Sequence, residues 1–291
     1  MVSNMKKIGL LPNSAKDPDF SRSRTICEYL YKEGAQIYTD NRYRNMVPPY
    51  VQVLPVHDIY ETCDCVIALG GDGTLLQMAQ AASLANVPIL GINYGKIGYM
   101  AELEYNEIDR LRCLLTDEFT IENRSMLDVS VERDGKQVFN SIALNDAVIS
   151  SGAITRLIDM QVTANDQIIS AYSADGLIVS TPTGSTGYSL SAGGPILEPT
   201  GAALILTPIC PHTLGSRPIV FAADSCLQVT LRSLVNKDAH LTVDGYQRLS
   251  LSDEDTVHIR RSSHITRLIK IKNLNFYQIL NHKLANGDIN K

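Results

Sequence analysis

Excess positive charge is the first thing the sequence lacks: 26 lysines and arginines stand against 31 aspartates and glutamates, a net charge of −5. Binding a nucleic-acid backbone needs a basic face, so no nucleic-acid partner is expected. Small anionic ligands stay open, because backbone N–H groups and metal ions can hold them. Also missing is any apolar run near the roughly 18 residues of a membrane span. The opening MVSNMKKIGLLPNS carries two lysines before a short apolar stretch, too brief for a signal-peptide core. The expectation is a cytoplasmic protein with no membrane partner. No C-x-x-C pair occurs among Cys27, Cys63, Cys65, Cys113, Cys210 and Cys226, and the histidines show no ligand-like spacing. That predicts free thiols and no metal-ligating residues. Tryptophan is absent, and the rest of the composition is that of an ordinary globular chain. Its 291 residues are enough for two domains, each with its own core.

What is present divides in two. Strand and helix signals alternate over the first ~120 residues, which predicts parallel strands with right-handed crossovers. The strands are Lys7–Leu11, Gln36–Thr39, Cys65–Leu69 and Val87–Ile92. The helices are Asp19–Lys32, Thr74–Leu84 and Glu104–Leu115, with a Pro-containing loop between the second and third strands. Beyond residue 120 short strands follow one another across tight turns at Asp134-Gly135, Asn165-Asp166 and Asp244-Gly245, pairs that accept positive φ and suit hairpins. The predicted architecture is an α/β domain with an open, mostly parallel sheet over 1–120, then a β-rich domain over 121–272. The segment 273–291 supplies a closing helix from Leu274 to Leu284 that returns to the first domain.

Gly70-Gly71-Asp72-Gly73-Thr74 lies between a buried strand and a helix. Glycines there let a ligand approach the backbone, and the helix start offers free N–H groups. The loop is neither a G-x-x-x-x-G-K-[ST] motif nor a G-x-G-x-x-G turn. Asp72 is its informative residue. A carboxylate inside a phosphate cradle repels its ligand unless it meets a metal ion or takes a proton from an attacking hydroxyl. The plainer reading is a helix cap. Gly91–Met100 adds a second glycine-containing segment beyond the next strand.

The stretch from Asp175 to Pro195 is dense in small hydroxyls and glycines, with a short helix expected near Ser185. Such a segment can build a donor-rich wall for ribose hydroxyls and phosphates, or serve as a linker. No G-x-S-x-G hydrolase elbow is present. Asn145-Asp146 interrupts the apolar run SIALNDAVIS. The pair is either a turn between strands or a polar pair that reads an adenine edge and accepts from ribose hydroxyls.

Taken in order, GGDGT at 70–74, GINYGKIGYM at 91–100, Asn145-Asp146, DGLIVSTPTGSTGYSLSAGGPI at 175–196 and Asp244-Gly245 resemble the NAD kinase family. GGDGT alone is shared with lipid kinases and phosphofructokinases, whereas the 175–196 motif is specific. The resemblance implies phosphoryl transfer from ATP or polyphosphate to the 2′-hydroxyl of the adenosine ribose of NAD. It also implies Mg²⁺ or another divalent metal accompanying ATP, and assembly as homodimers or homotetramers. It makes Asp72 the catalytic base or metal-assisting group, in a loop with Gly70, Gly71, Gly73 and Thr74. Asn145 and Asp146 would hold adenosine, with Thr183, Thr186, Gly187, Tyr188, Ser189, Leu190 and Ser191 around adenine and ribose. Asp175 and Ser173 would reach the other nucleotide half, and Arg156 would face the ligand. Gly187 stands where alanine is usual, Asp146 where glutamate is frequent, and Tyr246 where glutamine often follows Asp-Gly.

Overall fold

The computed structural model describes residues 5–94, 98–152, 157–212, 215–232 and 238–287, with residues 284–287 as backbone only. Arg156 lies outside the described residues. The chain forms two compact units, 1–123 with 266–291 and 124–265.

The first unit is built from β1 (Lys7–Pro12), α1 (Ser21–Lys32), β2 (Gln36–Asp40), β3 (Val51–Leu54), α2 (Val56–Thr62), β4 (Cys65–Gly70), α3 (Asp72–Leu84), β5 (Ile89–Asn93), β6 (Leu103–Glu104) and α4 (Cys113–Thr116). Its strands pair in parallel in the order β3-β2-β1-β4-β5-β6. β4 is buried at every residue, as an apolar strand covered on both faces must be. Ile8, Leu10, Ile67, Leu69 and Leu90 form its core with Ile26 and Leu30 of α1.

Two expectations need correction here. The stretch between β2 and β4 is not a plain loop, because β3 and α2 fill it. Pro55, within that Pro-containing stretch, sits at the N-cap of α2, where its missing N–H costs no bond. Glu104–Leu115 is not one α-helix. It is a 3₁₀ run, Tyr105–Arg112, with non-helical backbone at Glu107, followed by the single turn of α4. The buried Glu102 carboxylate accepts from the Ile271 N–H at 2.8 Å and pairs with Lys270, fixing the returning chain. That chain ends in α6 (Phe276–Gly287), which also belongs to this unit.

The second unit contains β7 (Thr120–Arg133), β8 (Lys136–Ala143), β9 (Asp146–Ser151), β10 (Ile158–Ala164), β11 (Gln167–Ala174), β12 (Gly176–Ser180), α5 (Tyr188–Ser191), β13 (Ala203–Ile209), β14 (Ile219–Ala222), β15 (Cys226–Arg232), β16 (Ala239–Val243), β17 (Gln247–Leu251) and β18 (Thr256–Lys270). One antiparallel layer runs β11-β10-β15-β18-β7-β8 and the other β14-β13-β12-β9-β16-β17. Val129, Val162 and Val229 of the first layer meet Ile149, Val179 and Leu241 of the second in one core. The hairpin turns are those the dipeptides predict. Asp134 and Gly135 have φ of 51° and 70°, Asn165 and Asp166 49° and 63°, and Asp244 and Gly245 50° and 75°. No described helix is long and apolar enough to cross a membrane.

Candidate functional site

In the first unit the glycine loop leaves the carboxyl end of β4 and enters α3, whose N-cap, Gly71, supplies no side-chain cap. Gly70 has to be glycine: a Cβ there would lie 2.2 Å from Thr74 Oγ1. Asn13, just beyond β1, donates to the same Thr74 oxygen at 3.2 Å. The Lys16 ammonium donates to the Gly70 carbonyl at 3.2 Å, bringing positive charge to the loop. Gly73 is open, with nothing within 4 Å of its would-be Cβ.

Asp72 does not cap α3. Its carboxylate turns to the segment after Gly98 and accepts three backbone N–H bonds, from Tyr99 at 2.6 Å, Met100 at 3.2 Å and Ala101 at 3.1 Å. Gly98 packs against this carboxylate so closely that a Cβ would lie 1.9 Å from Oδ1. Three of the carboxylate's roughly four lone-pair directions are thereby engaged. A role in catalysis would require it to release one of them or use the fourth. Lys283 of α6 lies 4.5 Å from the centre of the Tyr99 ring, a cation over an aromatic face.

In the second unit an aspartate does the same thing again. Asp244, at the β16–β17 turn, accepts from the N–H groups of Leu144 at 2.7 Å, Asn145 at 2.7 Å and Asp146 at 3.1 Å. Burial pushes its carboxyl up to about 6, with those three bonds pulling the other way. Asp146, first residue of β9 and also buried, is raised to about 7 by burial and by the neighbouring Asp244 charge. Asn145 lies in the bend between β8 and β9, so the turn reading and the polar-pair reading describe one place. Its Oδ1 is buried with no hydrogen-bond partner among the described residues. An orphaned buried acceptor of this kind is costly unless a ligand donor meets it.

The hydroxyl-rich segment curls over this bend. Gly184 approaches so closely that a Cβ would lie 2.2 Å from the Asn145 carbonyl oxygen. Thr181 Oγ1 donates to the Leu144 carbonyl at 2.6 Å and accepts from the Gly184 N–H. Ser185 Oγ donates to the Pro182 carbonyl, Thr186 Oγ1 donates to the Thr183 carbonyl, and buried Ser189 shares a 2.9 Å bond with Thr207. The expected wall of free hydroxyls is therefore mostly a set of internal staples, because these short side chains reach nearby backbone first. Thr183 Oγ1 accepts from Arg124 at 3.3 Å. Gly187 faces the pair: its would-be Cβ lies 3.5 Å from Asn145 Nδ2 and 4.0 Å from Asp146 Oδ2. Tyr188 and Ser191 are exposed and Leu190 is half-buried. Ser173 in β11 and exposed Asp175, between β11 and β12, lie at the end of β12 opposite Thr181–Thr183. Asn13, Lys16 and Arg124 were not singled out from the sequence, and Gly98 was read only as part of the Gly91–Met100 segment. The Asn13–Lys16 loop carried a readable signal, since it follows the first parallel strand.

The ATP-NAD kinase N-terminal domain matches residues 8–119, and the ATP-NAD kinase C-terminal domain matches residues 144–271. The chain is 40% identical to the NAD kinase of Caldanaerobacter subterraneus subsp. tengcongensis, over 97% of this chain and 99% of that protein. It is 45% identical to the NAD kinase of Citrifermentans bemidjiense, over 98% of this chain and all of that protein (100%). Yeast NADH kinase complexed with NADH superposes with a TM-score of 0.88 at 21% identity, covering 97% of this chain and 88% of that chain. An NAD kinase from Archaeoglobus fulgidus in complex with ATP gives 0.73 at 24% identity, covering 96% and 98%. The two solved structures speak for the fold, while the matched domains and sequence relatives account for nearly the whole chain in order. The chain belongs to the ATP-NAD kinase family.

Proposed function

We propose that this protein is an NAD kinase, moving the γ-phosphoryl group of ATP to the 2′-hydroxyl of the adenosine ribose of NAD. The observation that carries this reading is the Asn145 Oδ1 beside Asp146, buried and without a hydrogen-bond partner among the described residues. An adenine amine is a fitting donor for that oxygen, and the asparagine Nδ2 can donate to a ring nitrogen in return. Asp146 then accepts from the adjacent ribose hydroxyls. Asp72 takes the proton of the 2′-hydroxyl as its oxygen bonds to the γ-phosphorus and the bridging bond to the departing ADP breaks. Lys16 and the N–H groups opening α3 face the phosphates. Thr183, Thr186, Gly187, Tyr188, Ser189, Leu190 and Ser191 shape the adenosine side, and Asp175 and Ser173 serve the other nucleotide half.

A divalent cation, Mg²⁺ above all, belongs to the proposal as a companion of the donor phosphates. Among the described residues the metal-capable trio is His57, Asp58 and Glu61 on the α2 surface, away from the glycine loop in sequence, and Asp72 is engaged by backbone. That fits a cation carried mainly by phosphates and water, as Mg²⁺ prefers, supplying charge neutralisation on the transferring group. Assembly as a homodimer or homotetramer and a cytoplasmic location complete the reading.

Asn145→Ala tests it. NAD KM should rise at least tenfold, the scale of one lost pair of ligand bonds of about 1.4 kcal/mol or more, while ATP KM stays put. A raised ATP KM with NAD KM unchanged would reverse the assignment.

A further inference from the structure

The segment that receives Asp72 is itself held, by the returning end of the chain. α6 begins at a reciprocal cap. Asn275 Oδ1 accepts from the Gln278 N–H at 2.9 Å, and Gln278 Oε1 accepts from the Asn275 N–H at 3.0 Å. With the start fixed, the helical period sets which residues share a face. Phe276, Ile279, Leu280 and Lys283 stand at i, i+3, i+4 and i+7, and all four are half-buried, while Tyr277, Gln278, Asn281 and His282 are exposed. A lysine on this covered stripe of apolar residues needs a partner for its charge. It finds the face of the Tyr99 ring, 4.5 Å from the centre. Tyr99 is also the residue whose N–H makes the shortest of the three bonds to Asp72, at 2.6 Å. A few residues on, the same stretch is gripped again. Buried Glu102 accepts from the Ile271 N–H at 2.8 Å and pairs with Lys270, and Lys272 pairs with Glu107. The C-terminal segment thus holds residues 99–107 at two places, and the grip at Tyr99 is the one next to Asp72.

We propose that Lys283 is a positioning residue for Asp72. Its ammonium, seated on the Tyr99 ring, fixes residue 99 so that its N–H points at the carboxylate and leaves the fourth lone-pair direction for the acceptor hydroxyl. This rests on the kinase reading, in which Asp72 takes the proton of that hydroxyl. Without the cation Tyr99 is free to turn, and Asp72 samples orientations that do not face the hydroxyl. A loss of aim falls on turnover and leaves NAD binding alone.

Lys283→Met keeps an aliphatic stem and removes the charge, whereas Lys283→Arg keeps a cation that stacks on aromatic faces. In Lys283→Met, kcat for NADP formation should fall about three- to tenfold, the scale of one cation–ring contact. NAD KM should not change, and Lys283→Arg should restore kcat. In a Tyr99→Leu background, Lys283→Met should lower kcat no further. Hydrogen exchange read by mass spectrometry needs no turnover. The peptide carrying the amides of residues 99–101 should exchange faster in Lys283→Met and at the unaltered rate in Lys283→Arg, with peptides of β1 and β4 unchanged in both. An unchanged kcat in Lys283→Met, an unchanged exchange rate at residues 99–101, a defect that Lys283→Arg leaves in place, or a loss additive with Tyr99→Leu would overturn the inference. Should the unaltered protein make no NADP, the kinase reading falls, while exchange still decides whether Lys283 holds the Tyr99 segment.

Discussion

Asp72 and Asp244 each hold three consecutive backbone N–H groups, yet their surroundings ask different things of them. Asp244 lies under the bend that presents Asn145 and Asp146, so its work is to shape that bend. Asp72 stands in the glycine loop proposed to face the donor phosphates, where a carboxylate needs a chemical reason. Asp72→Asn should lower kcat by about 10²–10⁴-fold, the usual worth of a general base, and leave NAD affinity by calorimetry little changed. It should also lower stability, because an amide cannot accept all three bonds, and a bond to a charged group contributes about 1.5–3 kcal/mol. Near-normal kcat would show that Asp72 serves only as an anchor for residues 99–101. The Asp146 carboxyl makes a pH prediction. Its folded value, about 7, lies above the ordinary 3.8. Below about pH 4 both folded and unfolded chains hold this proton, and its contribution to stability is complete. As pH rises toward 7 the unfolded chain has lost the proton while the folded chain keeps it, so stability falls, by at most about 1.4 kcal/mol per unit. Urea titrations of Asp146→Asn and the unaltered protein between pH 4.5 and 8 should show the variant gaining relative stability up to about pH 7. A difference that is constant with pH would contradict this.

At the scale of elements, the segment after Gly98 is seated on Asp72 by shape as well as by hydrogen bonds. Gly98→Ala must push the carboxylate away, since a Cβ would sit at 1.9 Å. It should cost about 1–3 kcal/mol as N–H groups lose their acceptor. Because Asp72→Ala removes the same contacts, the double variant should cost little more than either single one. Additive losses in thermal or urea unfolding would show that the two residues act separately. The sequence made much of this architecture legible. The apolar strand before Gly70 and the dipeptides at Asp134, Asn165 and Asp244 each carry a local rule, and each element formed where its rule placed it. What stayed hidden depends on partners distant in sequence. Nothing local to Asp244 shows that it receives the N–H groups of residues 144–146 about a hundred positions earlier. Nothing local to Ser185 or Ser189 shows that their hydroxyls are used internally. The Pro-containing stretch between β2 and β4 reads as loop because proline breaks helices, yet proline also begins them, as Pro55 does for α2.

For the whole molecule, the proposed reading divides the chemistry between the two units by fold. A parallel sheet with crossover helices gathers loop ends at one edge, which suits phosphates, and there the glycine loop, Asn13 and Lys16 come together. An antiparallel sandwich can hold a polar bend rigid, and there Asn145 and Asp146 are held by Asp244 and covered by the Thr181–Gly187 curl. The central claim is that these serve one reaction, phosphorylation of NAD. The most direct measurement incubates the purified protein with NAD, ATP and Mg²⁺, follows NADP with an NADP-specific dehydrogenase, and locates the new phosphate by phosphorus NMR. The account predicts NADP and ADP in equal amounts, with the phosphate on the 2′-oxygen of the adenosine ribose. ADP release without NADP, or a phosphate on any other hydroxyl, would contradict it.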